Sequence, residues 1–163
     1  LKANYDGRTV QAFADLSYRI DTSVAAFEPF ANLAYVNLKT DGYNESGGAA
    51  ALRASSQTTE TTYTTLGSRV MSGFELGGAQ ATARGSLGWR YAFGDLKPTA
   101  TQAFSAGDAF TVAGVPIAKN SAVLEAGLDV QVSRKVSFDL SYQGQLASGA
   151  QDHGVRAGVS VRF

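Results

Sequence analysis

The sequence has no cysteine, only three prolines and one histidine, and its fourteen Lys and Arg are balanced by fourteen Asp and Glu. Without cysteine there is no disulfide framework and no thiolate metal site, which is compatible with an oxidising compartment but does not indicate one. The lone imidazole, His153, has no acidic cluster beside it and makes a poor metal ligand; it reads as a rim residue at a membrane interface. Zero net charge leaves no basic surface to displace counterions from phosphates, so nucleic acid is excluded as a partner. No Gly-x-Ser-x-Gly elbow occurs, and the glycine-containing stretches lack the following helix that an esterase of that type needs. An uninterrupted apolar run of about 18 residues is also missing, which excludes a transmembrane helix but not a membrane barrel, whose strands alternate. Leu1 to Asp6 is polar, with neither an initiator Met nor a signal-peptide profile, so the chain is expected to be a piece of a longer precursor.

What is present is a period of two. Between Ala79 and Phe93, one face carries Ala79, Ala81, Ala83, Gly85, Leu87, Trp89, Tyr91 and Phe93, and the other carries Gln80, Thr82, Arg84, Ser86, Gly88 and Arg90. A charge-free apolar face sustained well beyond the usual soluble strand of about 5–6 residues predicts a lipid-exposed membrane strand. Trp89 and Tyr91 lie on that face, as rings with a polar handle do near a membrane interface. The same alternation runs through Ala122 to Val132, where the acids Glu125 and Asp129 fall only on the second face. It continues through Val136 to Gln143 and through Val155 to Phe163, so these segments read as a meander of hairpins.

Upstream, Val10 to Ile20 and Phe27 to Tyr35 alternate likewise, with Pro29 removing one ladder donor and predicting a bulge or incomplete pairing. A loop over Thr40 to Gly48 leads to a weak strand around Ala49 to Ser56. A long Thr-rich strand follows from about Glu60 to Glu75, with Leu66, Val70 and Phe74 outward and Gly67, Arg69, Met71 and Glu75 inward. Tight turns are expected over Phe74 to Gly78 and Gly94 to Lys97, a short strand over Pro98 to Phe104 and a polar loop over Ser105 to Asn120. The predicted fold is all-β: an antiparallel up-and-down transmembrane β-barrel meander of about nine strands. An odd count cannot close an antiparallel bacterial barrel, so N-terminal strands are expected to be missing.

Several segments carry a resemblance: Tyr5-Asp6-Gly7-Arg8-Thr9-Val10-Gln11, Glu28-Pro29-Phe30-Ala31-Asn32-Leu33-Ala34-Tyr35-Val36, Thr65-Leu66-Gly67-Ser68-Arg69 and Gly88-Trp89-Arg90-Tyr91. The tail adds Ser141-Tyr142-Gln143-Gly144-Gln145, Asp152-His153-Gly154-Val155-Arg156-Ala157-Gly158 and Phe163. Together they resemble the C-terminal translocator domain of autotransporters, the type Va secretion proteins. The resemblance implies a barrel of about twelve strands in the bacterial outer membrane. A helical linker in its lumen and an N-terminal passenger in cis are implied too. The first strands, the linker and any cleavage junction have no counterpart in this sequence.

The inward charges Glu28, Arg69, Glu75, Arg84, Arg90, Glu125, Asp129, Asp139 and Arg156 are the candidate lumen-facing residues. They could hold a helix, let an extended chain pass, or merely satisfy one another. Val159, Val161 and Phe163 form a candidate assembly signal for the barrel assembly machinery, an exposed edge able to pair before closure. No catalytic residue, metal or cofactor is expected, and the expected partners are outer-membrane lipid, the assembly machinery and the passenger. A truncated chain could also form a strand-swapped oligomer. The competing readings are a non-secretory porin or adhesin barrel, an enzyme with a self-cleaving or anchoring barrel, and a soluble β-sandwich binding module.

Overall fold

The computed structural model describes residues 1–48 and 50–162, and all regular structure among them is β. In chain order the strands are β1 (Gly7–Ser17), β2 (Ile20–Asp21), β3 (Ala26–Thr40), β4 (Tyr43–Asn44), β5 (Leu52–Ala54), β6 (Gln57–Leu76), β7 (Ala79–Gly94), β8 (Thr99–Phe104), β9 (Ala109–Ala113), β10 (Asn120–Gln131), β11 (Val136–Ala147) and β12 (Ala150–Val161). One sheet has the order β1-β3-β6-β7-β10-β11-β12, with β2 paired to β3, and a second has the order β4-β5-β8-β9. The first is the expected antiparallel meander. β1 and β12 stand at its two ends, and no pairing joins them among the described residues.

Two compact units divide the chain. One comprises Ala14–Leu33, Thr64–Tyr91 and Asn120–Phe163. Its hairpins follow directly from the local sequence. Gly77 and Gly78, at φ 58° and 85°, form a two-residue connection between β6 and β7, the left-handed pair that a type I′ turn requires. Between β10 and β11, the Ser133 hydroxyl accepts from the amides of Lys135 (3.3 Å) and Val136 (3.2 Å), which closes the turn. Tyr18 N donates to Pro29 O at 3.1 Å, and proline has no N–H to return the bond, so strand pairing is interrupted between β1 and β2 opposite it.

The other unit comprises Leu1–Phe13, Ala34–Tyr63 and Ala92–Lys119. It holds the small second sheet, in which Leu52 pairs with Phe104 and Thr99 with Ala113. Tyr5 stacks on Tyr43 with ring centroids 5.2 Å apart, and Phe104 packs on Phe110 at 5.6 Å. Gly94, at φ 102°, ends β7 beneath Asp95, whose amide donates to Glu60 O (2.7 Å) and whose carboxylate accepts from Glu60 N (2.9 Å).

The nine expected strands are therefore corrected. Seven long strands build the meander. The stretches Ala49 to Ser56 and Pro98 to Phe104 instead supply β5 and β8 of the second sheet, although Ala49 lies outside the described residues. The loops expected over Thr40 to Gly48 and Ser105 to Asn120 contain β4 and β9. Strands of two to six residues have too few alternations to show a period, and the β5–β8 pairing that joins the short hairpins β4–β5 and β8–β9 is between residues distant in sequence. The final strand starts at Ala150, before the expected Val155, because its first residues pair with β11 across the Ser148-Gly149 turn. Val159 and Val161 lie on β12, whereas Phe163 lies outside the described residues.

The distribution of apolar side chains is inverted relative to a soluble protein. Among the described residues the buried hydrophobes are Ala51, Ala81 and Ala92, all small, while Leu87, Trp89, Leu140, Val155 and Val159 are each more than half exposed. Burying one large apolar side chain contributes roughly 1.5–3 kcal/mol. A fold that leaves its Leu, Val, Phe and Trp outside gains that stabilisation only when the surrounding medium is itself apolar.

Candidate functional site

Cross-strand register assigns faces. Directly opposed residues share a face of the sheet, and the pairs Ser121↔Arg90, Glu125↔Ser86, Gly127↔Arg84 and Asp129↔Thr82 place the polar side of β7 with the polar side of β10. Glu125↔Gln143 and Asp129↔Asp139 extend that face to β11, and Asp139↔Gly158 and Ser141↔Arg156 extend it to β12. Six of the nine candidate charges, Arg84, Arg90, Glu125, Asp129, Asp139 and Arg156, thus lie on one continuous polar surface. The opposite surface carries Leu87, Trp89, Ala122, Leu128, Val130, Phe138, Leu140, Ala157 and Val159.

Three arginines tie the polar face together. Arg69 on β6 donates to Glu28 on β3 at 2.6 Å and lies 3.6 Å from the Asp15 carboxylate on β1. Its guanidinium also sits 4.1 Å from the centre of the Phe30 ring, a cation–π contact. Arg84 on β7 pairs with Asp129 on β10. Arg90 on β7 donates to Gln145 on β11 (3.1 Å) and to the Thr65 hydroxyl on β6 (3.4 Å). Two of these side chains reach past a neighbouring strand: Arg69 passes β3 to approach β1, and Arg90 passes β10 to reach β11.

Close backbone approach makes room for these long side chains. A Cβ on Gly127 would stand 2.6 Å from Arg84 Nε, so the arginine stem lies flat over that glycine on its way to Asp129. A Cβ on Gly67 would meet Leu87 O at 2.5 Å and Phe30 Cζ at 2.7 Å, so the Phe30 ring occupies the space above Gly67 while carrying Arg69 on its face.

Two open cavities line this surface. Arg19, Glu28, Arg69, Arg84, Glu125 and Gln143 border one of about 280 Å³; Phe30, Asn32, Thr65, Arg90, Gln145 and Asp152 border one of about 410 Å³. Arg69, Glu125 and Gln143 border both. Glu75 is held at one end of β6, accepting from Gln80 at 3.2 Å. Asp15, Gln145 and Asp152 belong to the same constellation but were not among the sequence candidates. Their place on the polar phase of β1, β11 and β12 was the available signal, and their partners on other strands were not visible in it.

His153 is elsewhere. It lies opposite Gly144, and its Nδ1 is 2.7 Å from the Tyr142 hydroxyl, with the two rings stacked. Tyr142 opposes Ala126 and Val155, which places the pair on the apolar surface. Trp89 is on that surface as well, donating from its indole N–H to the Asn120 side chain at 3.3 Å.

The profile of the autotransporter β-domain family matches residues 1–143. Over 163 aligned residues the chain is 40% identical to an extracellular serine protease of Serratia marcescens and 39% identical to a second protein of that name from the same organism. Each alignment covers 99% of this chain and 16% of the relative, so the chain spans a small part of the length of the curated relatives it matches.

Proposed function

The chain belongs to the autotransporter β-domain family, and from that premise we propose that it forms part of an outer-membrane translocator wall that anchors an N-terminal passenger and helps export it to the cell surface. The observation that carries this is the separation of the two surfaces. Large apolar side chains cover one side of the seven-stranded meander, while arginine–carboxylate pairs and two water-accessible cavities occupy the other. A sheet satisfies its backbone groups in lipid only when it is closed and fully paired. Both end strands, β1 and β12, run in the same direction in a seven-stranded antiparallel meander. We take closure to use an odd number of further antiparallel strands of the same precursor, with the polar side as the lumen.

In this reading the nine candidate charges line the passage, and the exposed edge of β12, with Val159 and Val161, is what the barrel assembly machinery engages. The chain acts as scaffold and conduit. The protease activity named for the relatives is assigned to the part of their length outside the aligned segment. The single histidine supports that assignment, being bonded to a tyrosine on the apolar surface. The test is to express the full-length precursor in a Gram-negative host and follow the passenger by surface proteolysis. Deleting β12 should leave the passenger inside the cell and abolish the heat-modifiable gel mobility of the folded barrel. Normal surface display without β12 would overturn the proposal.

A further inference from the structure

Twice on the polar side of β12 a glycine lies beneath a side chain of β11. Gly158 opposes Asp139 and Gly154 opposes Gln143. An added Cβ on Gly158 would collide with the Asp139 carboxylate, and one on Gly154 would stand 3.2 Å from Gln143 Nε2. Both side chains therefore lean across β12 toward its unpaired edge. Asp139 has a reason to lean that way. On its other side it opposes Asp129, whose carboxylate already holds Arg84, and like charges directly opposed repel. Between the two glycines stands Arg156, exposed and opposite Ser141.

Elsewhere on this face polar side chains find partners as far as two strands away: Arg69 on β6 lies 3.6 Å from Asp15 on β1, and Arg90 on β7 donates to Gln145 on β11. At the end of the meander the pattern stops. Among the described residues neither Asp139 nor Arg156 has a hydrogen-bond or ion-pair partner, each other included, although they are diagonal neighbours. A strand added beyond β12 runs about 4.8 Å from it, which brings its polar side chains within reach of a carboxylate lying over Gly158 and of the Arg156 guanidinium.

We propose that the strand closing the wall against β12, a segment of the same precursor outside this chain, presents a Lys or Arg opposite Gly158 and an Asp or Glu opposite Arg156, so that charge pairing fixes the register of closure. The inference rests on the closed-wall reading above. The relatives leave ample sequence for such a strand, since this chain covers 16% of their length. Antiparallel pairing sets the order: the residue opposite Gly158 comes two before the residue opposite Arg156, and both lie on the polar face. The closing strand therefore reads cation, one lipid-facing residue, carboxylate. Gln143, being uncharged, asks for no charge opposite Gly154. On the free edge formed by β1 and β2, the one segment in this order, Arg19-Ile20-Asp21, already pairs internally at 2.9 Å. Hydrophobic patterning rejects a slip of one residue, which turns the strand inside out, but accepts a slip of two. Charge rejects the slip of two, because it sets a carboxylate against Asp139 in one direction and a cation against Arg156 in the other.

The test uses the full-length precursor folded in phosphatidylcholine vesicles, with Ala157→Cys on the apolar side of β12 and single cysteines scanned along each amphipathic strand upstream of this chain, which has no cysteine of its own. Position 157 faces the residue between the two expected charges. The upstream residue that forms the strongest disulfide with it should be preceded by Lys or Arg and followed by Asp or Glu. Arg156→Glu should lower the ratio of folded to unfolded protein near the urea midpoint by about threefold or more, read from heat-modifiable mobility. Reversing the facing carboxylate to Lys should restore it, and Asp139→Lys should respond in the same way to reversal of its facing cation. Should a reversal variant fail to fold, the residues flanking the disulfide decide. Flanking residues that are uncharged or in the opposite order overturn the proposal. So do reversals that leave the ratio unchanged, reversals that no facing exchange restores, and reversals that alter only display of the passenger, which would assign these charges to a chain inside the lumen. A different result, no disulfide to any upstream strand or one that joins two copies through β1, would overturn closure by the same precursor, and the proposal with it.

Discussion

Gly67 is a position where a single methyl group has no room. Its added Cβ would meet Leu87 O at 2.5 Å and Gly88 Cα at 2.8 Å, both backbone atoms, besides the Phe30 ring. Gly67→Ala is therefore expected to destabilise the folded chain by about 1–3 kcal/mol, read as a lower urea midpoint in lipid vesicles. Arg69, which shares that ring, is 42% exposed and its partner Glu28 29% exposed, so solvent screening holds their pair to about 1 kcal/mol or less. A double-mutant cycle with Arg69→Met and Glu28→Gln should return a coupling of that size that fades at high salt; a salt-independent coupling would contradict it. At this scale the sequence was informative about side and uninformative about partner. Alternation put Arg69 and Glu28 on polar phases, but that Arg69 would choose Glu28 and also reach Asp15 depends on strand order, which no local pattern encodes.

Among the elements, the hairpins were legible and the second sheet was not. The Gly77-Gly78 pair announces its turn because both residues need positive φ, and neither would meet an atom within 4 Å through an added Cβ. Replacement there tests conformation alone. Gly78→Val should cost about 1–2 kcal/mol, whereas Gly77→Asn, at φ 58°, should be nearly neutral; thermal unfolding in detergent micelles distinguishes the two. By contrast, the short hairpins β4–β5 and β8–β9 become one sheet only through β5–β8 pairs such as Leu52↔Phe104, with half a hundred residues between partners. Their short alternations carry no more information than loop sequence, and only the tertiary pairing makes them strands. Pro29 falls between these cases, since its missing donor predicts a local fault and the ladder opposite it is indeed interrupted at Tyr18.

For the whole molecule, the decisive asymmetry is that its solvent-like side is lined and its greasy side is bare. Two substitutions on β11 separate the consequences. Leu140→Arg, on the apolar surface opposite Leu128 and Ala157, should cost about 2–4 kcal/mol if that surface meets the bilayer interior. Gln143→Arg, three residues along on the cavity side, should change stability by less than about 0.5 kcal/mol. Folding titrations into lipid vesicles measure both, and equal effects would mean the two surfaces face the same medium. The arginines that pass over a neighbouring strand have a mechanical meaning as well. Adjacent strands are about 4.8 Å apart, so partners two strands away are about 9.6 Å apart in a flat sheet, and a bond such as Arg90 to Gln145 acts as a tie across the inside of a bend. Ties of this kind add little to the free energy of unfolding but resist flattening, so in the proposed barrel they would set the local curvature of the wall, and salt, which weakens the Arg69–Asp15 pair across β3, would relax it.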